Sequence, residues 1–153
     1  MILRFAQDDI VWIAANPTTN MPDRTWQPAG PPTLPPPRGA YSRVIRAGEL
    51  IFVSGQVPRD LETGELLGED IASQTRAVFR NLETILHGCG ASLADVVSIT
   101  AWLADINEWD SFDAVYREML RPPYPTRTTV GAGLHGVLVE ITAIAVAPHR
   151  EQI

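Results

Sequence analysis

From residue 41 onward the apolar positions of the chain follow recognisable periods. The runs YSRVIR and LIFVSG are β-rich and joined by Ala47-Gly48-Glu49, which predicts a hairpin. Ile71, Thr75, Val78, Phe79, Leu82, Ile85 and Leu86 fall on one stripe of a 3.6-residue period. With Asp70 placed as N-cap and Gly88 or Gly90 as stop, they predict an amphipathic helix of about five turns. Residues 96–104, VVSITAWLA, are β-branched and apolar and lie between Asp95 and Asp105, the pattern of a buried strand. A second helix is expected from Glu108, with Trp109, Phe112, Val115, Tyr116, Met119 and Leu120 on one face and Pro122-Pro123 ending it. TRTTVGA and VLVEITAIAV read as strands, and the short turn Gly133-Leu134-His135-Gly136 predicts that they pair antiparallel. The order is ββαβαββ, an α+β arrangement. Each helix carries one apolar stripe, so both should cover the same sheet face and leave the other to bury itself against another copy of the chain.

The first 38 residues have a different texture. Eight of the thirteen prolines lie between residues 17 and 37, where fixed φ and missing amide donors favour extended backbone. Residues 1–38 therefore read as a proline-rich arm and residues 39–153 as the folded domain. Within the arm, residues 10–15 are compatible with a strand buried on both faces or with a mobile terminus. The presence of Trp12 and Trp26 favours packing of the arm over free exposure of that much aromatic surface.

Composition narrows the chemistry. At 153 residues the chain has room for one core. All twelve basic residues are arginine, which removes Schiff-base and P-loop lysine chemistry. A formal charge of −6 opposes binding to a phosphate backbone, so nucleic acid is not expected as a partner. One cysteine, Cys89, cannot form an internal disulfide, and Asp8 and Asp9 interrupt any signal-peptide core; a cytoplasmic protein without membrane insertion is expected. His87, Cys89, His135 and His149 show no metal-ligand spacing, and Cys89 reads as a small buried residue at a helix end. Residues 131–136 match G-x-G-x-x-G, but a strand follows where dinucleotide binding needs a helix N-terminus.

Glu140 stands out. A carboxylate inside VLVEITAIAV needs a partner, since an unpaired buried charge is costly. Under the antiparallel hairpin expectation, Thr129 lies opposite Glu140 and Arg127 falls on the diagonal of the same face, which makes Arg127 the expected partner. Two readings stay open: an ion pair that fixes register, or a polar pocket in which a guanidinium grips a substrate carboxylate while a desolvated glutamate handles a proton or water.

Tyr41 in GAYSRV, Ser54-Gly55-Gln56 in IFVSGQVP, the long helix with Gln74, Pro125-Thr126-Arg127-Thr128-Thr129 and Val139-Glu140-Ile141 occur in an order and spacing that resembles the RidA (YjgF/YER057c/UK114) enamine/imine deaminase family, over residues 39–147. The resemblance implies a chorismate-mutase-like α+β fold with two helices on one sheet face, assembled as a homotrimer with an inner barrel and sites between subunits. It implies that Arg127 binds a substrate carboxylate, that Glu140 activates water and assists proton transfer, and that Tyr41 and Ser54-Gly55 close the pocket from the neighbouring subunit. The implied reaction is cofactor-independent hydrolysis of 2-aminoacrylate-type enamines or 2-imino acids to 2-keto acids and ammonia. A non-catalytic carboxylate-binding or protein-interaction role is the alternative. Thr129 stands where many such deaminases have cysteine, Asp113 where they have asparagine, and the Arg127–Glu140 connection is two residues shorter; Asp113 and Thr129 are therefore expected to shape substrate choice.

Overall fold

The computed structural model describes residues 24–148. Its elements are β1 (Trp26–Pro28), β2 (Val44–Ala47), β3 (Leu50–Gln56), α1 (Ile71–Gly88), β4 (Val96–Leu103), α2 (Trp109–Met119), β5 (Thr126–Gly131) and β6 (Val139–Val146). The ββαβαββ order holds, with β1 added ahead of it. The strand considered at residues 10–15 and Trp12 lie outside the described residues.

Local sequence sets the elements as expected. The β2–β3 hairpin turns at Gly48, whose φ of +59° suits a residue without a Cβ. Asp70 caps α1 through Oδ1, which accepts from the Ser73 amide at 2.7 Å, while the Ser73 hydroxyl reaches back to the Asp70 amide. All seven residues of the predicted α1 stripe are buried.

The sheet order is β1-β2-β3-β6-β4-β5. The expected antiparallel pairing of β5 with β6 is incorrect. β5 runs parallel to β4, because the chain crosses back along α2 between them, and β6 inserts between β3 and β4, antiparallel to both. Residues 132–138 therefore form a crossing over the end of β4. Ala132 donates to the Leu103 carbonyl and Ala104 to the Leu138 carbonyl, so the two strands flank β4 rather than each other. The central place of β6 accounts for its composition: Val139, Ile141, Ala143 and Ala145 are fully buried under the helices, and the alternate residues are partly buried on the other face.

α1 and α2 cover one face, with Phe79, Leu82, Ile85, Leu86 and Phe112 completely buried against the strands. The other face carries Ile45, Phe52, Trp102 and Ile144, partly buried, with Leu50 and Val130 exposed. No helix among the described residues is long and apolar enough to cross a membrane.

The described part of the arm packs on the domain. β1 adds an edge strand to β2, Ala29 donates to the Val44 carbonyl, Pro31 sits against Gly88 at the end of α1, and Arg43 donates to the Pro35 carbonyl at 3.0 Å.

Candidate functional site

The sequence-selected residues fall into two groups on opposite faces of the sheet. Arg127 pairs in register with Ile99, a core residue, so its side chain points to the helix face. Glu140 pairs with Trp102, one step out of phase with the buried Ala101 and Leu103, so its side chain points to the uncovered face. The expected Arg127–Glu140 partnership is therefore incorrect. It followed from pairing β5 with β6; with β4 between them, no diagonal contact exists.

The partner of Arg127 is Asp113. Arg127 Nη1 donates to Asp113 Oδ1 at 2.8 Å, and Arg117, one turn along α2, donates through Nε to Oδ2 at 2.7 Å. Burial opposes the charge on Asp113, which is only 8% exposed, but the hydrogen bonds from Arg117 and Arg127 outweigh it and hold the carboxyl below its ordinary range. The guanidinium carbon of Arg127 lies 4.5 Å from the Tyr116 ring centroid, 5.2 Å from Trp109 and 5.7 Å from Phe112. Three aromatic faces and one carboxylate thus fix a guanidinium with donors to spare. On the same face, the buried hydroxyl oxygens of Thr129 and Tyr116 have no hydrogen-bond partner among the described residues.

Glu140 sits in the opposite environment. Among the described residues it makes no ion pair, and burial alone pushes its carboxyl pKa up. It stands against a β-bulge: Val53 pairs with Ala143 and Gln56 with Ile141, so Ser54 and Gly55 together face Thr142. The bulge brings Gly55 so close to Glu140 that a Cβ there would lie 3.0 Å from the carboxyl carbon and closer still to an oxygen. Only glycine fits. The Ser54 hydroxyl donates to the Ser42 carbonyl at 2.7 Å, fixing the approach of β2, and Tyr41 is exposed at the rim of a cavity that Gly55 also lines. Gly55 therefore lies against Glu140 of its own chain, with Ser54 beside it in the bulge and Tyr41 on the cavity that Gly55 also lines, whereas Arg127, Asp113 and Thr129 form a second group on the helix side.

Elsewhere, burial pushes the Cys89 thiol up, the reverse of an activated nucleophile. Gln74 is structural: its Oε1 accepts from the Leu138 amide at 2.8 Å and its Nε2 donates to the Gly68 carbonyl, which secures the entry into β6. Among the described residues no three His, Cys, Asp or Glu side chains converge; His149 lies outside them. Sequence reading missed the aromatic seat of Arg127, because Trp109, Phe112 and Tyr116 read simply as a core stripe. Trp109, 37% exposed, departs from that stripe to lie beside the guanidinium.

A six-stranded mixed sheet with two helices on one face and a lone carboxylate at a bulge on the other defines a small α+β class. The chain belongs to the endoribonuclease L-PSP family (Ribonuc_L-PSP), the YjgF/RidA group, which it matches over residues 32–147. It is 43% identical over 113 residues to a RutC family protein of Pyrococcus abyssi, covering 72% of this chain and 89% of that protein. It is 30% identical over 110 residues to the human 2-iminobutanoate/2-iminopropanoate deaminase, covering 71% of this chain and 80% of the relative. The crystal structure of RidA from an Antarctic Psychrobacter superposes with a TM-score of 0.69 at 33% identity, covering 80% of this chain and 98% of the other.

Proposed function

We propose that the protein is a cofactor-independent enamine/imine deaminase whose site is completed between copies, in which Glu140, Gly55, Ser54 and Tyr41 of one copy face Arg127, Asp113 and Thr129 of the next. The observation that carries this reading is the unpartnered Glu140 carboxylate, raised in pKa by burial and packed against Gly55, whose missing side chain lets it sit there. The deaminase name of the human relative supports the reaction class. The partly apolar uncovered face supports assembly, and a homotrimer closes it in the manner of the family.

The chemistry asks little of the protein. An imine carbon is already electrophilic, so the site must hold the carboxylate, deliver water and move protons. Arg127, seated by Asp113, keeps free N–H groups for a planar carboxylate. Ionised Glu140 takes a proton as water adds to the imine carbon. Protonated, it returns that proton to nitrogen; ammonia then leaves as the carbonyl forms. For an enamine substrate, the same group supplies the proton to carbon that generates the imine. A raised pKa suits a carboxyl that works in both directions near neutral pH.

A second reading has one observation in its favour: Arg127 is already paired with Asp113, as in a structural ion pair or a carboxylate-binding module. Ammonia release from 2-iminobutanoate generated in situ separates the two. The deaminase reading expects turnover by the wild-type chain, its loss in Arg127→Ala, and a fall of about a hundredfold or more in Glu140→Gln. A wild-type chain that binds 2-oxobutanoate through Arg127 but releases no ammonia points to the binding module, and a Glu140→Gln protein as active as wild type removes Glu140 from the chemistry.

A further inference from the structure

We propose that the cavity beside Gly55 receives a second anionic group of the substrate, so that the preferred substrates are enamines or imines of dicarboxylic acids. This rests on the deaminase reading of the Glu140 site and names its substrate class.

The cavity has a volume of about 210 Å³ and is lined by Arg38, Arg43 and Arg59. These are a quarter of the basic side chains of a chain with net charge −6. Among the described residues, ion pairs join Arg76 to Glu118 and Arg117 and Arg127 to Asp113; none engages the three cavity arginines. Two of them are positioned instead by backbone carbonyls. Arg43 Nη2 donates to Pro35 O at 3.0 Å and Arg59 Nη1 to Gly64 O at 3.2 Å, each bond leaving further N–H groups of the fork uncommitted. Arg38 converges on the same glycine: a Cβ at Gly64 would lie 2.9 Å from its Nη2. Asp60 and Glu62 also line the cavity, but neither is ion-paired with the arginines among the described residues: Asp60 Oδ1 accepts from the amides of Glu62 and Thr63 at 2.9 and 2.8 Å and Glu62 is exposed, so the lining sets three guanidinium groups against two carboxylates turned to other partners or to solvent.

Gly55 links this cavity to the reaction. Its backbone is one wall of the cavity and also lies against the Glu140 carboxylate. A substrate whose reacting carbon sits at Glu140 and whose first carboxylate is held by Arg127 of another copy extends past Gly55 towards the arginines. Guanidinium forks are suited to a carboxylate there. The arm contributes Pro35–Pro37 as the facing wall, which gives that proline-rich stretch a part in substrate choice.

The test compares the imines formed in situ by an amino-acid oxidase from glutamate and from 2-aminobutyrate, and the binding of 2-oxoglutarate and 2-oxobutyrate by calorimetry. The full-length protein should favour the dicarboxylate by about tenfold or more in kcat/KM and in Kd, the scale of one charge-assisted contact. Arg38→Gln should bring that ratio close to one. Arg59→Gln is the second variant, and its effect on the ratio should match. Equal handling of both imines by the wild-type protein, or a ratio unmoved by both variants, overturns the inference while leaving the deaminase reading intact. If neither imine is hydrolysed but 2-oxoglutarate binds preferentially and through Arg38, the deaminase reading fails and the second-anion site stands.

Discussion

Two carboxylates in this chain meet burial with opposite results. Asp113 is held ionised by two guanidinium groups, whereas Glu140 has burial alone acting on it. The folded chain thus holds the Glu140 proton more tightly than the unfolded chain does. Stability is therefore lost as pH rises from the ordinary glutamate value through the raised one. Glu140→Gln removes that loss: its melting temperature should exceed wild type by roughly 1–3 °C at pH 8, a modest gain because the group is partly solvated, and the gain should vanish towards pH 4. A constant difference across that range removes the titration argument. For Asp113 the expectation runs the other way. Asp113→Asn weakens the seat of Arg127 and should cost about 1–3 kcal/mol of stability, while raising KM for a carboxylate substrate more than it lowers kcat. Equal loss in both kinetic constants places Asp113 in the chemistry rather than behind Arg127. Glu140 was legible in the sequence because a charge inside an apolar strand is conspicuous. Its environment was not, because the nearest contact is with a glycine, which leaves no side-chain pattern, at a bulge that depends on pairing with a distant strand.

At the scale of elements, local signals and long-range pairing part company. Helix α1 could be read to within a residue from its stripe, the Asp70 cap and the terminal glycines, all of which act within a turn or two. The partners of β5 and β6 could not, because a Gly-rich connection of a few residues serves a hairpin and a crossing over one strand equally well. The alternation of β6, apolar on one face and mixed on the other, is what a central strand shows, but it does not say which strands flank it. The arm illustrates the same point: β1 has only three residues and gains its identity from pairing with β2. Contact between Pro31 and Gly88 offers a test of that packing. Alanine is favoured over glycine in a helix by about 1 kcal/mol, yet a Cβ at Gly88 would lie 2.8 Å from the Pro31 backbone nitrogen and against its ring. Overpacking of about 1–3 kcal/mol should win, so Gly88→Ala is expected to lower the melting temperature. Pro31→Ala should recover part of the loss by removing the ring. A stabilising Gly88→Ala in the full chain means that the arm does not rest on α1.

For the whole molecule, the decisive fact is that Arg127 and Glu140 project from opposite faces of one sheet. No motion short of unfolding brings both to one ligand within a chain, since β4 separates their strands and the core fills the helix side. A site that uses both must take one from each of two copies, and in the proposed assembly the same contact would cover Phe52, Trp102 and Ile144, which are partly buried on the face without helices. This arrangement makes a prediction that no single-chain site can meet. Arg127→Ala and Glu140→Gln chains are each inactive alone, but each retains the half that the other lacks. Co-expressed, and purified through two different tags so that only mixed assemblies are assayed, they should regain deaminase activity. In a mixed trimer of either composition about one site in three joins an intact Arg127 to an intact Glu140, so the rate should approach about a third of wild type. A double variant, Arg127→Ala with Glu140→Gln in one chain, mixed with wild type and purified in the same way should give about half as many intact sites, since only trimers with two wild-type chains retain one, which serves as the internal standard for assembly. Light scattering on the same samples should report a trimer. Mixed assemblies that form but stay inactive, beside a standard that works, would falsify the division of the site between copies.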